Sequence, residues 1–236
     1  MEFVLVRGDM AWCRNDDRCP EWISAEGKIE NDTPAKLRKF LGPLGDASLP
    51  VVVNSPGGNI RAALEMAWIM RKHKLSIGVG QTRWRTCPVA NPTCAVYTPD
   101  GARKGEVYTG GAFCSSACTL FFAGGINRVC GQWAWLGVHQ ARSFDMSAHV
   151  EKVGLPADLR KMVIQTIGEM GVDKSLFDIS LEAKPNQLRN VSQTEARSLN
   201  LTTELATVED LVAARNCRDN EALATCATRA RIPPRK

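Results

Sequence analysis

Two adjacent serines in the segment GGAFCSSACTLFFAGG, residues 110–125, are well placed for chemistry. Ser115 and Ser116 precede an apolar run typical of a buried helix, so we expect them at a strand-to-helix junction. A serine becomes a nucleophile when a base takes its proton and backbone N–H groups stabilise the resulting oxyanion. Taken alone, the two serines are typical of a helix N-cap and His139 of a packed histidine.

A glycine turn supplies the second candidate component. The segment NSPGG, residues 54–58, follows the apolar run LPVVVN and precedes a helix with apolar residues at i, i+3, i+4, i+7 and i+8. Glycines allow the backbone to direct N–H groups at a ligand beside a helix N-terminus. The two junctions are therefore expected to converge on one spot.

The remaining patterns predict an α/β fold with a mostly parallel sheet. Strand, glycine turn, helix and strand alternate along the chain, as in βαβ units. Residues 81–109 lack this pattern and are predicted to form a loop insertion. RVCGQWAWLGVHQ, residues 128–140, is predicted to be one strand, and Pro156–Met170 a helix that Gly171 ends. We predict one domain over 1–207 and a cysteine-tied C-terminal segment with a basic tail over 208–236.

Eight of the nine cysteines form close sequence pairs: Cys13 with Cys19, Cys87 with Cys94, Cys114 with Cys118, and Cys217 with Cys226. The spacing typical of zinc sites is absent, so no metal is expected and local disulfides in an oxidising compartment are the favoured interpretation. The alternative is a set of buried free thiols. Cys130 is left over and is predicted to be a buried free thiol.

Composition excludes several classes of function. The chain is 44% hydrophobic and 23% charged, which is ordinary globular usage. Its apolar runs are shorter than the roughly 20 residues of a membrane span, so we expect no membrane span. The net charge of +5 is spread along the chain without a recognisable motif, so we expect no nucleic-acid partner. MEFVLVRGDM resembles a strand, and we expect any export signal to have been removed.

The sequence resembles the Clp protease proteolytic subunit and its relatives in the crotonase-like superfamily, especially the periplasmic Clp-protease-like branch. The resemblance covers about Trp22 to Leu201 and rests on VVVNSPGGNIRAALEMAWIM, CSSACTLFFAGGINRV and GVHQAR, in that order. It implies a ClpP-like repeated ββα spiral, and it leaves both ends and the 81–109 insertion, which we predict a Cys87–Cys94 disulfide to pin, without a counterpart in the family. It also implies Ser116 as nucleophile and His139 as general base, with the N–H groups of Gly58 and Ala117 as oxyanion donors. Ser115 is the alternative nucleophile and requires a shift of one residue.

The third member of the family's catalytic triad has no match. The family's aspartate precedes the SxxEA helix, and the corresponding segment here is AKPNQLRNVSQTEA. Strict alignment places Leu188 at that position, and Asn186 is the nearest residue that can orient an imidazole. Three interpretations remain: a triad with Asn186, a dyad whose histidine is held by a backbone carbonyl, or a degenerate site that binds without cutting.

The resemblance implies a serine endopeptidase that acts on peptides or unfolded proteins without a cofactor. Because the cysteine pairs favour an oxidising compartment, we expect a periplasmic or secreted location, where ATP is not expected, and therefore an ATP-independent activity. It also implies a homo-oligomer assembled through the Pro156–Met170 helix. The alternative function is a catalytically degenerate binding or scaffold protein with the same fold. Acyl-CoA chemistry is a third option, which the Ser and His arrangement does not favour. We predict that Trp68, Trp133 and Trp135 are core or subunit-contact residues.

Overall fold

A computed structural model of the chain describes residues 1–9, 19–45, 47–88, 94–145, 149–204 and 206–214. Its strands are β1 (Glu2–Gly8), β2 (Glu21–Glu26), β3 (Val51–Asn54), β4 (Ile77–Val79), β5 (Gln81–Trp84), β6 (Arg103–Tyr108), β7 (Phe113–Ser115), β8 (Arg128–Cys130), β9 (Trp135–Val138), β10 (Arg142–Asp145), β11 (Val150–Val153) and β12 (Arg189–Val191). Its α-helices are α1 (Thr33–Leu41), α2 (Ile60–Lys72), α3 (Ala117–Ala123), α4 (Ala157–Glu169), α5 (Ser175–Ser180), α6 (Gln193–Ser198) and α7 (Val208–Ala213). A 3₁₀ turn (Gly42–Leu44) follows α1.

The main sheet contains seven strands in the order β5-β6-β1-β2-β3-β4-β8. The pairs β1–β6, β2–β3, β3–β4 and β4–β8 are parallel, and the pairs β1–β2 and β5–β6 are antiparallel. The predicted α/β fold with a mostly parallel sheet is therefore confirmed.

The central strand β3 is covered on both faces, which explains its uninterrupted valines. Val51 and Val53 pack into the large core on the side of α2, whereas Val52 packs with Trp22 on the opposite face. All three valines are fully buried. Because successive strand side chains point to opposite faces, a strand between two layers needs apolar residues at every position.

Helix α7 covers the second face of the sheet. Val208 is fully buried and lies over Gly78 and Gly80, where an added Cβ would come within 2.7 Å and 2.5 Å of its methyl carbons. Only glycine leaves room for this contact. Leu211 and Val212 of α7 are buried as well, and the domain boundary predicted after residue 207 stays a prediction. Residues 215–236 of the predicted C-terminal segment lie outside the described residues.

Helix α3 is the buried centre of the molecule. Phe121 and Phe122 are fully buried, and a Cβ on Gly124 would lie 2.5 Å from the Cα of Ala67 in α2. The end of α3 therefore meets α2 backbone to backbone. This close packing fixes the position of α3, and with it the serines at its start.

A second sheet has the order β12-β9-β7, in which β7 and β9 are parallel. The prediction of one strand over residues 128–140 is wrong, because a turn at 131–134 places β8 in the main sheet and β9 in the second. The side chains of Trp68, Trp133 and Trp135 are 47%, 65% and 56% exposed, so their assignment to the core is also wrong. Their role as subunit contacts stays a prediction.

The insertion at 81–109 contains a pair of strands rather than loop alone. β5 pairs antiparallel with β6, and β6 extends the main sheet beside β1. The predicted Cys87–Cys94 disulfide is present, with a Cα–Cα distance of 5.6 Å. Arg103 stacks on Trp84 and Arg83 on Tyr108, which links the two strands through cation–π contacts.

Candidate active site

The ends of three strands bring the predicted residues together. β7 and β9 are parallel neighbours with Ser115 opposite Gly137, so Ser116 and His139 leave the sheet at the same edge. The turn after β3 joins them, because the Ser55 N–H donates to the Phe113 carbonyl and the Ser55 carbonyl accepts from the Ser115 N–H. The carboxyl ends of parallel strands are where α/β sheets form their sites.

Ser116 has an unusual backbone conformation. Its φ of 57° and ψ of −129° are disfavoured for a residue that carries a Cβ, and hydrogen bonds hold it there. The Ser116 N–H donates to the Gly137 carbonyl at 2.8 Å, and the Ser116 carbonyl accepts from the Thr119 N–H and hydroxyl. Strain of this kind is common at catalytic sites and at the nucleophile elbows of hydrolases.

Ser115 lies in a different environment. Its side chain is only 5% exposed, and its Oγ has no hydrogen-bond partner among the described residues. Ser116 lines the cavity next to His139, whereas Ser115 does not. The structure therefore gives Ser116, and not Ser115, access to a ligand in that cavity.

The glycine turn packs directly against the serines. Gly57 has a φ of 90°, and a Cβ there would lie 2.5 Å from the Ser115 carbonyl oxygen and 2.8 Å from the Ala117 nitrogen. Gly58 has a φ of 139°, and a Cβ on it would lie 2.1 Å from the Ile29 carbonyl oxygen. The N–H groups of Gly58 and Ala117 have no acceptor among the hydrogen bonds of the described residues. Ala117 lines the cavity with Ser116, whereas Gly58 does not, and the role of both N–H groups as oxyanion donors stays a prediction.

A backbone carbonyl holds the His139 ring. Nδ1 lies 2.8 Å from the carbonyl oxygen of Gln140. A carbonyl only accepts hydrogen bonds, so the proton of the neutral ring lies on Nδ1, and Nε2 keeps the lone pair that a base requires. The Gln140 N–H donates to the Ala183 carbonyl and its side-chain amide to the Leu181 carbonyl. Gln140 is the orienting residue that the sequence analysis missed, although the His-Gln pair was visible.

Asn186 and Leu188 do not contact His139 through any hydrogen bond of the described residues. Asn186 is exposed in a turn, and Leu188, 53% exposed, lies against Gly137 of β9. No carboxylate hydrogen-bonds to His139 within the described ranges. The partner of the His139 ring is thus a backbone carbonyl, and a catalytic dyad of Ser116 and His139 stays a prediction.

The cavity beside Ser116 and His139 has a volume of about 70 Å³ and a mainly apolar lining that includes Ile60, Leu120 and Phe177. The hydroxyls of Thr119 and Ser180, which also line it, donate to backbone carbonyls. The cavity therefore suits an apolar group. A larger open groove of about 670 Å³ on the outer side of α4 contains neither serine nor histidine.

The Cys114–Cys118 disulfide brackets the serines, with a Cα–Cα distance of 5.2 Å. Cys19 is buried, and Cys13, Cys217 and Cys226 lie outside the described residues, so the pairings predicted for them stay predictions. Cys130 is partly buried and forms no disulfide with another described cysteine. Burial raises the pKa of its thiol to about 12, which makes it a poor nucleophile.

A metal site requires several ligating side chains, and a membrane-spanning helix requires length and high hydropathy. The described residues contain no group of three His, Cys, Asp or Glu side chains that could hold a metal ion. None of the helices in the described ranges combines the length and the hydropathy that a membrane-spanning helix needs.

Comparison with solved structures identifies the fold. The chain is similar to a mutant of a membrane-bound stomatin-specific protease, 1510-N, with a TM-score of 0.52 and 11% identity over 81% of each chain. The fold is ClpP-like. ClpP1 from Listeria monocytogenes is also similar, with a TM-score of 0.47 and 16% identity over 78% of this chain and 89% of that one.

The ClpP-like fold agrees with the resemblance inferred from the sequence motifs. At such low identity, the structural similarity concerns the fold alone. No protein-family model matches the sequence, and no curated protein matches it.

Proposed function

We propose that this protein is an ATP-independent serine endopeptidase that hydrolyses peptides or unfolded proteins. The observation that carries the proposal is the strained Ser116, which lines an apolar cavity together with Ala117 and His139. The ClpP-like fold, found in a stomatin-specific protease, supports it. The cavity would hold an apolar side chain of the peptide.

In the proposed reaction, Ser116 Oγ attacks the peptide carbonyl and His139 Nε2 takes the hydroxyl proton. The N–H groups of Gly58 and Ala117 donate to the oxyanion, and losing one such donor raises the barrier by about 3 kcal/mol. His139 then returns the proton to the leaving amine as the C–N bond breaks. Water, with His139 again as the base, hydrolyses the resulting acyl ester and releases Ser116. A carbonyl partner orients the ring but stabilises the imidazolium less than a carboxylate does, so we expect slower turnover than in a Ser-His-Asp triad.

One observation favours a second candidate function. Within the described residues, no carboxylate or amide side chain hydrogen-bonds to His139. A ClpP-like binding or scaffold protein that has lost its triad acid would show the same feature. Such a protein would bind peptides in the cavity without cleaving them.

Labelling with a fluorophosphonate probe, which reacts with activated serines, distinguishes the endopeptidase from the binding or scaffold protein. We expect the oxidised wild type to be labelled, Ser116→Ala and His139→Ala to lose labelling, and Ser115→Ala to keep it. Asn186→Ala should react like the wild type, whereas Gln140→Ala should react several-fold more slowly because the segment after β9 loses its anchor on Leu181.

A well-folded wild type that binds peptides but is not labelled would favour the scaffold function. If labelling is lost in Ser115→Ala and retained in Ser116→Ala, the nucleophile is Ser115 and not Ser116. A strong loss of labelling in Asn186→Ala would favour the alternative of a triad formed by Ser116, His139 and Asn186.

We also propose a periplasmic or secreted location and a homo-oligomer assembled through α4. The Cys87–Cys94 and Cys114–Cys118 disulfides are compatible with an oxidising compartment. ATP is not expected in that compartment, so we expect unfolded substrates rather than substrates delivered by an ATP-driven unfoldase.

A further inference from the structure

The Cys114–Cys118 disulfide crosses the position of the proposed nucleophile. Cys114 belongs to β7 and Cys118 to α3, and Ser116 is the middle of the three residues between them. Both cysteines are fully buried. The disulfide thus ties the strand before Ser116 to the helix after it, with a small covalent ring around the strained residue.

The strained conformation of Ser116 requires restraint from both sides. A positive φ at a residue with a Cβ persists when the surrounding structure over-determines it. The Ser116 N–H is held by the Gly137 carbonyl of β9, whereas the Ser116 carbonyl is held only by Thr119 of α3, a helix of seven residues that is too short to be stable by itself. The disulfide is the covalent restraint on the same turn. It limits how far β7 and α3 can move apart.

Release of this restraint changes the proposed site directly. A relaxed φ at Ser116 redirects its Oγ and the N–H of Ala117 together, because both follow the same backbone torsion. Gly57 packs closely against Ser115, Ser116 and Ala117, and this close contact would then be lost. A displacement of about 1 Å between reacting groups lowers rates by about 100-fold.

We propose that the Cys114–Cys118 disulfide is the positioning element for Ser116, so that the chain is hydrolytically competent only after oxidation. This inference rests on the proposed function. Both thiols together lose two electrons and two protons to a disulfide oxidant, which is reduced to two thiols while the Cys114–Cys118 bond forms. Because both cysteines are fully buried, oxidation accompanies folding. A chain that folds in a reducing compartment stays inactive, and a chain that folds in an oxidising one becomes active.

The second disulfide provides a matched control. The variants C114A/C118A and C87A/C94A each lose one disulfide with a short sequence separation, of 4 and 7 residues, but neither Cys87 nor Cys94 lines the cavity. We expect C114A/C118A to react with the fluorophosphonate probe, and to turn over a peptide, at least ~10-fold more slowly with KM changed less than about twofold. We expect C87A/C94A to stay within about twofold of the wild type.

Refolding tests the inference even if C114A/C118A fails to fold. The C87A/C94A chain is reduced and unfolded, then refolded with dithiothreitol or with oxidised glutathione, and mass spectrometry reports the state of Cys114 and Cys118. We expect a folded but at least ~10-fold slower reduced form, and recovery after unfolding and oxidative refolding. Equal labelling of the reduced and oxidised forms would overturn this inference alone. Absence of labelling in the oxidised wild type would overturn the proposed function and this inference with it.

Discussion

Backbone atoms dominate the candidate site at the scale of single residues. The His139 ring is held by the Gln140 carbonyl, and the two candidate oxyanion donors are the N–H groups of Gly58 and Ala117. Side-chain substitutions do not remove these groups. Their positions depend on the close approach of the glycine turn to Ser116, so a glycine is the informative residue to change.

Gly57→Ala is expected to inactivate the site. The added Cβ would lie 2.5 Å from the Ser115 carbonyl oxygen, a backbone atom, and the residue has a φ of 90°. We expect labelling to fall about 100-fold, because the turn must move away from Ser116. We also expect the free energy of unfolding to fall by about 2 kcal/mol, measured by urea denaturation.

Gly101→Ala is the control for backbone strain alone. Gly101 has a φ of 88°, but an added Cβ there would meet no atom within 4 Å. We expect a similar strain penalty and an unchanged labelling rate. If Gly57→Ala is labelled as fast as Gly101→Ala, the turn does not form the oxyanion hole.

At the scale of elements, two arginines hold the end of α3. Arg128 is 2% exposed and donates to the carbonyls of Gly125, Leu201 and Asn200. Arg71 donates to carbonyls at the same end of the helix. Neither arginine takes part in an ion pair with another described residue. Cations suit the negative C-terminal end of a helix.

Burial and, to a smaller extent, the nearby charge of Arg71 together lower the pKa of Arg128 to about 10. Arg128 still carries its charge at neutral pH. Its burial is therefore offset by hydrogen bonds to carbonyls, which also connect α3 to the segment after α6.

Arg128→Met is expected to destabilise the domain by about 3 kcal/mol, because buried carbonyls lose charged donors. Arg61→Met is the matched control, since Arg61 forms an exposed ion pair with Asp158 and should contribute less than about 1 kcal/mol. Urea denaturation measures both variants. Equal effects of the two substitutions would contradict a special role of Arg128 at the end of α3.

At the scale of the whole molecule, α4 presents the surface proposed for self-association. Its outer side forms the open groove of about 670 Å³, which Arg160, Lys161 and Ile164 line. Trp68 on α2 and Trp133 beside β9 are also exposed. These surfaces are available for contact with other copies of the chain.

Sedimentation is expected to show a homo-oligomer in the wild type. Lys161→Glu reverses a charge in the groove and should shift the distribution towards monomer, whereas Lys184→Glu, on an exposed turn, should leave it unchanged. A wild type that sediments only as monomer at micromolar concentration would contradict assembly through α4.

The sequence by itself determined the elements whose patterns are local. The valine run predicted β3, the helical period predicted α2 and α4, and Gly171, with a φ of 70°, follows α4 as predicted. The close cysteine spacing also predicted the two disulfides of the described residues. Local patterns were sufficient here because each depends on neighbours in the chain.

Only the tertiary structure distinguished Ser116 from the buried Ser115 and showed the Gln140 carbonyl at His139. It also divided residues 128–140 between two sheets and left Trp68, Trp133 and Trp135 exposed. These features depend on which distant segments pack together, such as the turn after β3 against the start of α3. A residue's spacing along the chain does not contain that information, because backbone torsion and burial at these positions are set by non-local contacts.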